Sequence, residues 1–294
     1  MITKEKRSDL MAENFGQLYI VGTPIGNLGD ITYRAVETLK AVDFICAEDT
    51  RVTVKLLNHY GIKKPMISYH EHSERHVSDR IMSKIMSGES CAVVSDAGMP
   101  CISDPGEDLI RLCIENDVTV EVVPGPTAMA SAAALSGLPV SRFTFEGFLA
   151  VAKKQRYAHL EGVAKETRTL IFYEAPHKLL NTLTDMLKYL GDRRISICHE
   201  ITKIHEDVFR TTLSESVEYY SDKTPKGEFV LVVEGYDLNK ELSEITLDDA
   251  VNEAERLIES GMKAVDACKE AAKTTGFKKS EIYSGIQERQ AVGK

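Results

Sequence analysis

Tryptophan is absent from this chain and aromatic residues make up only 7% of it, yet 43% of its residues are apolar. That balance describes a water-soluble chain able to bury at least one sizeable core, over one to three domains. No apolar run approaches the roughly 20 residues that a membrane-spanning helix needs. The start, MITKEKRSDLMAENFG, also lacks the apolar stretch of a signal peptide, so a cytoplasmic protein with no membrane contact is expected. The six cysteines, at 46, 91, 101, 113, 198 and 268, include no C-x-x-C pair and no histidine at ligand spacing. Neither a zinc site nor a disulfide framework is indicated, and no metal is expected. Excess positive charge is missing too. A net charge of -9 argues against a broad nonspecific nucleic-acid surface, leaving local clusters such as Lys153, Lys154 and Arg156, Arg193 with Arg194, and Lys278 with Lys279.

What is present is an alternation of elements. Apolar runs of strand length end in polar, Gly- or Pro-bearing loops: LYIVGTPIGN, VDFICAEDTR, PMISYHEHSE, CAVVSDAG and VTVEVVPGPT. Helix-like segments separate them, including residues 33–42 and 104–116, which predicts a largely parallel sheet flanked by helices. From about Pro139 a second strand-rich half follows, with RFTFEGFLA, TRTLIFYEAPHK, RRISICHEITK and GEFVLVVEGYD. After Asp237 a linker leads to Thr246 and Asp249, a capping box for a helix that Gly261 stops. Two further helices around Gly276 have the outline of a helix-turn-helix. From residue 239 onward the tail carries 9 basic and 11 acidic residues, a balance that suits packing or docking better than DNA reading. The expected division is a flexible tail over 1–16, α/β domains over 17–137 and 138–237, and a small helical domain over 240–294.

The loops hold the candidate chemistry. In VVSDAGMPCISDPG, Asp104 stands before Pro105 with Glu107 three residues on, which reads as N-cap, N1 proline and capping-box acid. Asp96 ends a buried strand at its carboxyl edge, where open α/β sheets bind ligands, and Gly98 permits close backbone approach. In VVPGPTAMASAAALSGLP, Thr127 opens a small-residue helix that Gly137 closes. Neither this loop nor VGTPIGN matches G-x-G-x-x-G or a Walker phosphate loop, which disfavours a nicotinamide or nucleoside-triphosphate site. At other strand ends stand Glu48, Asp49 and Arg51 in AEDTR, and His70 and His72 in YHEHSE, the histidines reading as surface residues.

The ordered set VGTPIGNLGDITYRA, AEDTR, SDAGMPCISDPG, VPGPTA, SGLP, FEGFL, FYEAPHK and HEITK resembles the tetrapyrrole-methylase-like, class III S-adenosylmethionine (SAM) methyltransferases, and among them the ribosomal-RNA branch. The resemblance covers residues 17 to about 237, and the tail is similar to the helical domain ending many members. It implies two α/β domains with SAM in the cleft between them, a homodimer, and 2'-O-methylation of a cytidine ribose, cytidine 1402 of the 16S ribosomal RNA decoding region, within the small ribosomal subunit. It places SAM contacts on Pro24, Ile25, Asp96, Ala97, Gly98, Cys101, Thr127, Ala128, Tyr173, Glu174 and Ile201. Catalysis is expected from Glu48, Asp49 and Arg51, with Glu174, Glu200 and Lys203 as further candidate bases at strand ends. RNA phosphate contacts are expected from Lys153, Lys154, Arg156, Lys178 and Lys203. Two positions depart from the family: Ala150 where proline is usual and His199 where arginine is common. Other readings are a SAM-dependent C-methylase of a tetrapyrrole, whose first loop should read G-x-G-P-G-D, and a nonenzymatic helix-turn-helix regulator of DNA.

Overall fold

A computed structural model describes residues 15–70, 75–238 and 246–292. Residues 1–14 of the expected N-terminal tail, His72 and most of the linker before Thr246 lie outside the described residues, whereas Phe15 and Gly16 of that tail join the first sheet's body, Phe15 packing on its core and the Gly16 N–H donating to the Ile85 carbonyl at 2.8 Å.

The first sheet is wholly parallel, in the order β3-β2-β4-β1-β5. Its strands are β1 (Leu18–Val21), β2 (Phe44–Ala47), β3 (Met66–Ser68), β4 (Cys91–Val94) and β5 (Val120–Val123). Every residue of FICA and CAVV is buried, because these inner strands are covered on both faces. Alternate side chains feed two cores. Leu18, Phe44, Cys46, Cys91 and Val93 pack with Ile81 and Ile85 of α3 (Arg75–Met86) and with Leu109 and Cys113 of α4 (Glu107–Glu115). Val21, Ile45, Ala47, Ala92 and Val94 face the other way, onto Ala35 and Leu39 of α1 (Tyr33–Ala41) and Leu57 of α2 (Thr50–His59). The result is a doubly wound three-layer arrangement. Strand order reverses around β1 and β4, so the loops after them open the crevice where such sheets hold ligands.

The second sheet is mixed, in the order β6-β7-β10-β8-β9. It comprises β6 (Phe143–Phe148), β7 (Thr169–Glu174), β8 (Arg194–His199), β9 (Asp207–Thr212) and β10 (Phe229–Val233). Only β6 and β7 run parallel; β10 is antiparallel to both of its neighbours. One face is covered by α6 (Lys153–Gly162), α7 (Leu179–Leu190) and α8 (Leu213–Tyr220) through Leu160, Leu183, Met186 and Leu213. The other takes α5 (Ala128–Ser136), whose Ala132 and Ala133 lie against Ile171, Cys198, Val230 and Val232. This helix starts from the first half and packs on the second. Both sheets therefore belong to one compact unit ending at Glu234, where the sequence suggests two domains. Its ends are set as expected: the Thr127 hydroxyl accepts from the Ala130 N–H, and Gly137 adopts the left-handed conformation at the C-cap.

The second compact unit begins at Gly235. It holds α9 (Leu247–Glu259), α10 (Ala264–Thr275) and α11 (Lys279–Val292). Thr246 and Asp249 form the expected capping box, and Gly276 turns the chain in the left-handed region between α10 and α11. Ala250, Val251, Ala254, Cys268, Ala271, Ile282 and Ile286 form a core of the unit's own. Arg289 ties α11 to Asp248 and Glu255 of α9. All six cysteines are free thiols and only Cys101 is not buried.

Two glycines set the approach of the loops after β1 and β5. A Cβ on Gly125 would stand 2.9 Å from the Cα and carbonyl carbon of Gly22, which are backbone atoms that cannot swing aside. Gly125→Ala is expected to cost about 1–3 kcal/mol through overpacking, read as a lower urea midpoint; an unchanged midpoint would show that these loops do not need their close approach.

Candidate functional site

A cavity of about 370 Å³ opens at the carboxyl end of the first sheet, within the size range of small-molecule sites. Loops and strand ends of both sheets build it. After β1 comes Ile25, after β2 Glu48, after β4 Asp96 to Met99 and Ile102 to Asp104, and after β5 Thr127, Ala128 and Met129. The second sheet adds Phe148, Tyr173, Glu174, Ile201, Glu228, Phe229 and Val230.

The first three loops are bonded to one another. Thr23 and Gly98 exchange both backbone hydrogen bonds, Thr23 N–H to the Gly98 carbonyl at 2.8 Å and Gly98 N–H to the Thr23 carbonyl at 3.1 Å. The Asp96 N–H donates to the Glu48 carboxylate at 3.2 Å, and the Asp49 N–H donates to the Asp96 carboxylate at 3.1 Å. From the second sheet, the Thr202 hydroxyl accepts from the Asn27 N–H at 3.1 Å. Thr202 and Glu200 both have positive φ, so the turn after β8 is bent into a sparsely populated conformation to meet the β1 loop.

Of the expected SAM contacts, Ile25, Asp96, Ala97, Gly98, Thr127, Ala128, Tyr173, Glu174 and Ile201 all line this cavity. Pro24 and Cys101 do not; they sit in the same two loops without reaching the lining. Cys101 has φ 70°, its Sγ lies against Gly106, and burial with the nearby Asp104 and Glu107 charges pushes its thiol up to about 11. Tyr173 is braced edge-on by Phe145 and Phe148, with centroids at 4.9 and 5.4 Å, and its hydroxyl accepts from the Met129 N–H at 3.2 Å. Glu174 is buried and accepts from the Ala175 N–H at 2.8 Å and from the Thr182 hydroxyl.

The AEDTR trio separates. Glu48 reaches the cavity, whereas Asp49 and Arg51 engage each other. Asp49 is the N-cap of α2, accepting from the Arg51 N–H at 2.8 Å, and forms a two-pronged pair with the Arg51 guanidinium at 3.0 and 2.6 Å. Hydrogen bonds from the Arg51 side chain and backbone hold its carboxyl down at about 2. Such a carboxylate is a poor proton acceptor, which corrects the expectation of Asp49 as a base.

Asp104 is corrected in the opposite direction. Helix α4 begins at Glu107 with Gly106 as N-cap and no side-chain cap bond, so Asp104 caps nothing. Positive φ at Cys101, Ser103 and Gly106 bends the chain around it, and its half-buried carboxyl lines the cavity. Burial, then the charges of Glu48 and Asp96, raise it to about 7, against a lowering hydrogen bond from Ser95. Asp96 is raised too, by burial first. No lysine or arginine appears in the lining, which carries five carboxyls: Glu48, Asp96, Asp104, Glu174 and Glu228. An anion such as a polyphosphate is disfavoured here and a cationic group is favoured.

The expected RNA-contacting cations fare unevenly. Lys153 and Lys154 stand exposed in the first turn of α6, and Lys178 lies in the 3-10 turn before α7. Arg156 is held inside, donating to Asp185 at 2.7 Å and to the carbonyls of Ala150 and Val151 at 3.1 and 2.8 Å. It fixes the loop containing Ala150, which corrects its assignment to phosphate. Lys203 pairs with Glu200 at 2.7 Å and Glu228 at 2.8 Å beside the cavity. His199 stacks on Phe229 at 4.5 Å. His70 lies one residue past Tyr69, which continues the β3–β2 pairing. Among the described residues no His, Cys, Asp and Glu cluster could hold a metal ion.

Residues 17–216 match the family described as Tetrapyrrole (Corrin/Porphyrin) Methylases. The chain belongs to this family. Its relatives include proteins called ribosomal RNA small subunit methyltransferase I from Halalkalibacterium halodurans, 44% identical over 96% of this chain and 98% of the relative, and from Bacillus subtilis, 42% identical over 94% and 96%. One of the same name from Thermotoga maritima is 48% identical over 75% of this chain and 99% of its own length. Among solved structures, cobalt precorrin-4 methyltransferase aligns with TM-score 0.57 at 18% identity, over 74% of this chain and 94% of that one. Diphthine synthase aligns with TM-score 0.57 at 14% identity, over 75% and 90%. A uroporphyrin-III C-methyltransferase from Thermus thermophilus, complexed with S-adenosyl homocysteine, aligns with TM-score 0.51 at 18% identity, over 74% and 92%. At these identities the structures establish the fold of this methylase family and no more.

Among the lining residues that sequence reasoning missed are Phe229 and Val230 of β10 and Glu228 just before it. This strand runs antiparallel to β7, so Phe229 pairs with Glu174 and the amino end of β10 meets the cavity.

A carboxyl raised in the folded state makes that state bind more protons than the unfolded chain. Stability therefore falls as pH rises from the ordinary carboxylate range through about 7. Asp104→Asn removes that penalty. In ligand-free protein the variant is expected to melt higher than wild type at pH 8 and to lose that advantage near pH 4; a pH-independent difference would mean that Asp104 is not raised.

Proposed function

We propose that this chain transfers the methyl group of SAM to the ribose 2'-oxygen of a cytidine in small-subunit ribosomal RNA, with cytidine 1402 of the decoding region as the target within the small subunit. The observation that carries the substrate is the 44% identity, along nearly the full length of both chains, to a protein named ribosomal RNA small subunit methyltransferase I. The carboxyl-lined cavity supports the cofactor. SAM supplies a methyl group on a cationic sulfonium, and with it an amino-acid ammonium.

The residues present fit that group. Asp96 and Asp104 would face its positive charge, and its arrival would favour the ionised form of Asp104. Ile25, Ile201, Tyr173, Phe229 and Val230 give apolar wall for a purine ring and exclude water. Pro24 and Cys101 would shape the two loops from behind. Glu48 is the member of its trio that would accept the proton: the ribose O–H bond breaks as the O–CH3 bond forms and the S–CH3 bond breaks, leaving a neutral thioether. Asp49 and Arg51 would hold the Glu48 loop in register through the Asp49–Asp96 bond. In-line positioning supplies most of the rate. Lys153, Lys154 and Lys178 remain the proposed phosphate contacts on the second half, and Lys203 would act by positioning Glu228. A cytoplasmic homodimer belongs to the same proposal, supported by the family resemblance.

The test is transfer of labelled methyl from SAM to small ribosomal subunits lacking the modification, locating label by resistance of the adjoining bond to alkali. Label at one ribose supports the reading. SAM binding without transfer would leave the cofactor site standing and move the substrate to a tetrapyrrole. Glu48→Gln is expected to lower kcat by about 10²–10⁴-fold while calorimetry shows SAM affinity held within a few-fold. Asp104→Asn is expected to weaken SAM binding by on the order of tenfold or more, as loss of a charge-assisted contact would; unchanged affinity there would remove Asp104 from the cofactor site.

A further inference from the structure

In a chain of net charge -9, the sixteen residues TRVTVKLLNHYGIKKP (50–65) contain Arg51, Lys55, His59, Lys63 and Lys64 and no carboxylate. Helix α2 arranges most of them. Arg51, Lys55 and His59 recur every fourth residue and so stand one above another, over about 12 Å of helix. All three are exposed, and Lys63 is exposed just beyond the Gly61 turn. Thr53 and Leu57 anchor the opposite side of the helix in the core. Lys64 is different, since its Nζ donates to the Val42 carbonyl at 2.5 Å. The ridge starts at the cavity: Asp49 caps α2, and its N–H is the donor to the Asp96 carboxylate in the lining. Arg51 keeps its pair with Asp49, yet its side chain is 88% exposed. Arg34, Lys84 and Arg111 of the same half of the chain are each held against an acid, by Glu121, Glu89 and Asp108.

We infer that the Arg51–Lys55–His59–Lys63 ridge is a track for the phosphodiester backbone of the RNA strand flanking the target nucleotide. The inference rests on the ribosomal-RNA reading above. Charge complementarity chooses the occupant: Lys55 and Lys63, with the exposed Arg51 beyond its Asp49 pair and the imidazole of His59 between the two lysines, lead away from a cavity of opposite sign and match a polyanion whose reacting sugar sits at the cavity mouth. Such contacts fix register and orientation and read no sequence.

The test uses the full chain and a small-subunit ribosomal RNA fragment containing the target, with binding followed by fluorescence anisotropy across a salt series. The double variant Lys55→Ala/Lys63→Ala is expected to bind on the order of tenfold more weakly, with the log–log salt slope reduced by roughly 1.4, two single-strand phosphate contacts' worth. SAM affinity should be unchanged. Wild-type affinity and slope in the variant would overturn the track. So would unaltered binding to the naked RNA with weakened binding to assembled subunits, which would mark the ridge as a contact for ribosomal protein. Methyl transfer by wild-type protein to the same fragment is read separately: ridge-dependent binding without transfer would sustain the track and remove the proposed reaction.

Discussion

The cavity depends on loops from three parallel strands being clamped edge to edge by their own backbone. Thr23 and Gly98 exchange hydrogen bonds, and Glu48, Asp49 and Asp96 are interlocked through two bonds in which a carboxylate accepts from a neighbouring loop's N–H. These bonds satisfy polar groups that would otherwise be left unpaired at the ends of buried strands. They also fix where the acids point. Glu48, Asp96 and Asp104 share the cavity with no cation in the lining; burial raises both Asp104 and Asp96, and the charges of Glu48 and Asp96 raise Asp104 further. A site preloaded in this way favours a positively charged ligand.

The second sheet completes the enclosure by a different device. Its contribution comes from the carboxyl ends of β6 and β7 and the amino end of β10, all on one edge because β10 runs against β7. Helix α5 joins the two halves: it begins at the Thr127 cap in the cavity wall and packs its alanines on the far sheet. Small residues in that helix allow the approach, which explains the composition of AMASAAALS. The helical unit from Gly235 stands outside this scheme, with its own core and clips. The family match, residues 17–216, ends before this unit.

Local sequence made much of this legible. Fully apolar FICA and CAVV announce strands covered on both faces, and Thr246 with Asp249, Thr127 and Gly276 mark helix ends through bonds that form within a few residues. Strand β9 was not foreseen: DVFRTT sits at a sheet edge with half-exposed residues, so no clean alternation betrays it. The expected cofactor contacts came from the family resemblance, and nine of the eleven fall in the cavity lining. Asp104 was misread because Asp-Pro-x-Glu has the chemistry of a cap, whereas three positive-φ residues around it turn the carboxyl elsewhere. Arg156 was misread because charge in a sequence says nothing of a partner 29 residues away.

The sequence by itself determined the alternation of strands and helices, the separate helical tail, the absence of a phosphate-loop pattern and the loops that carry the chemistry. Each of these follows from periodicity or from hydrogen bonds between near neighbours. Only the tertiary structure decided which acids share one cavity, which cations are neutralised inside the fold, and that Asp49 caps α2 while Glu48 lines the cavity. Those outcomes turn on burial and on charges brought within a few ångströms by strand order, and neither quantity exists until the chain has folded.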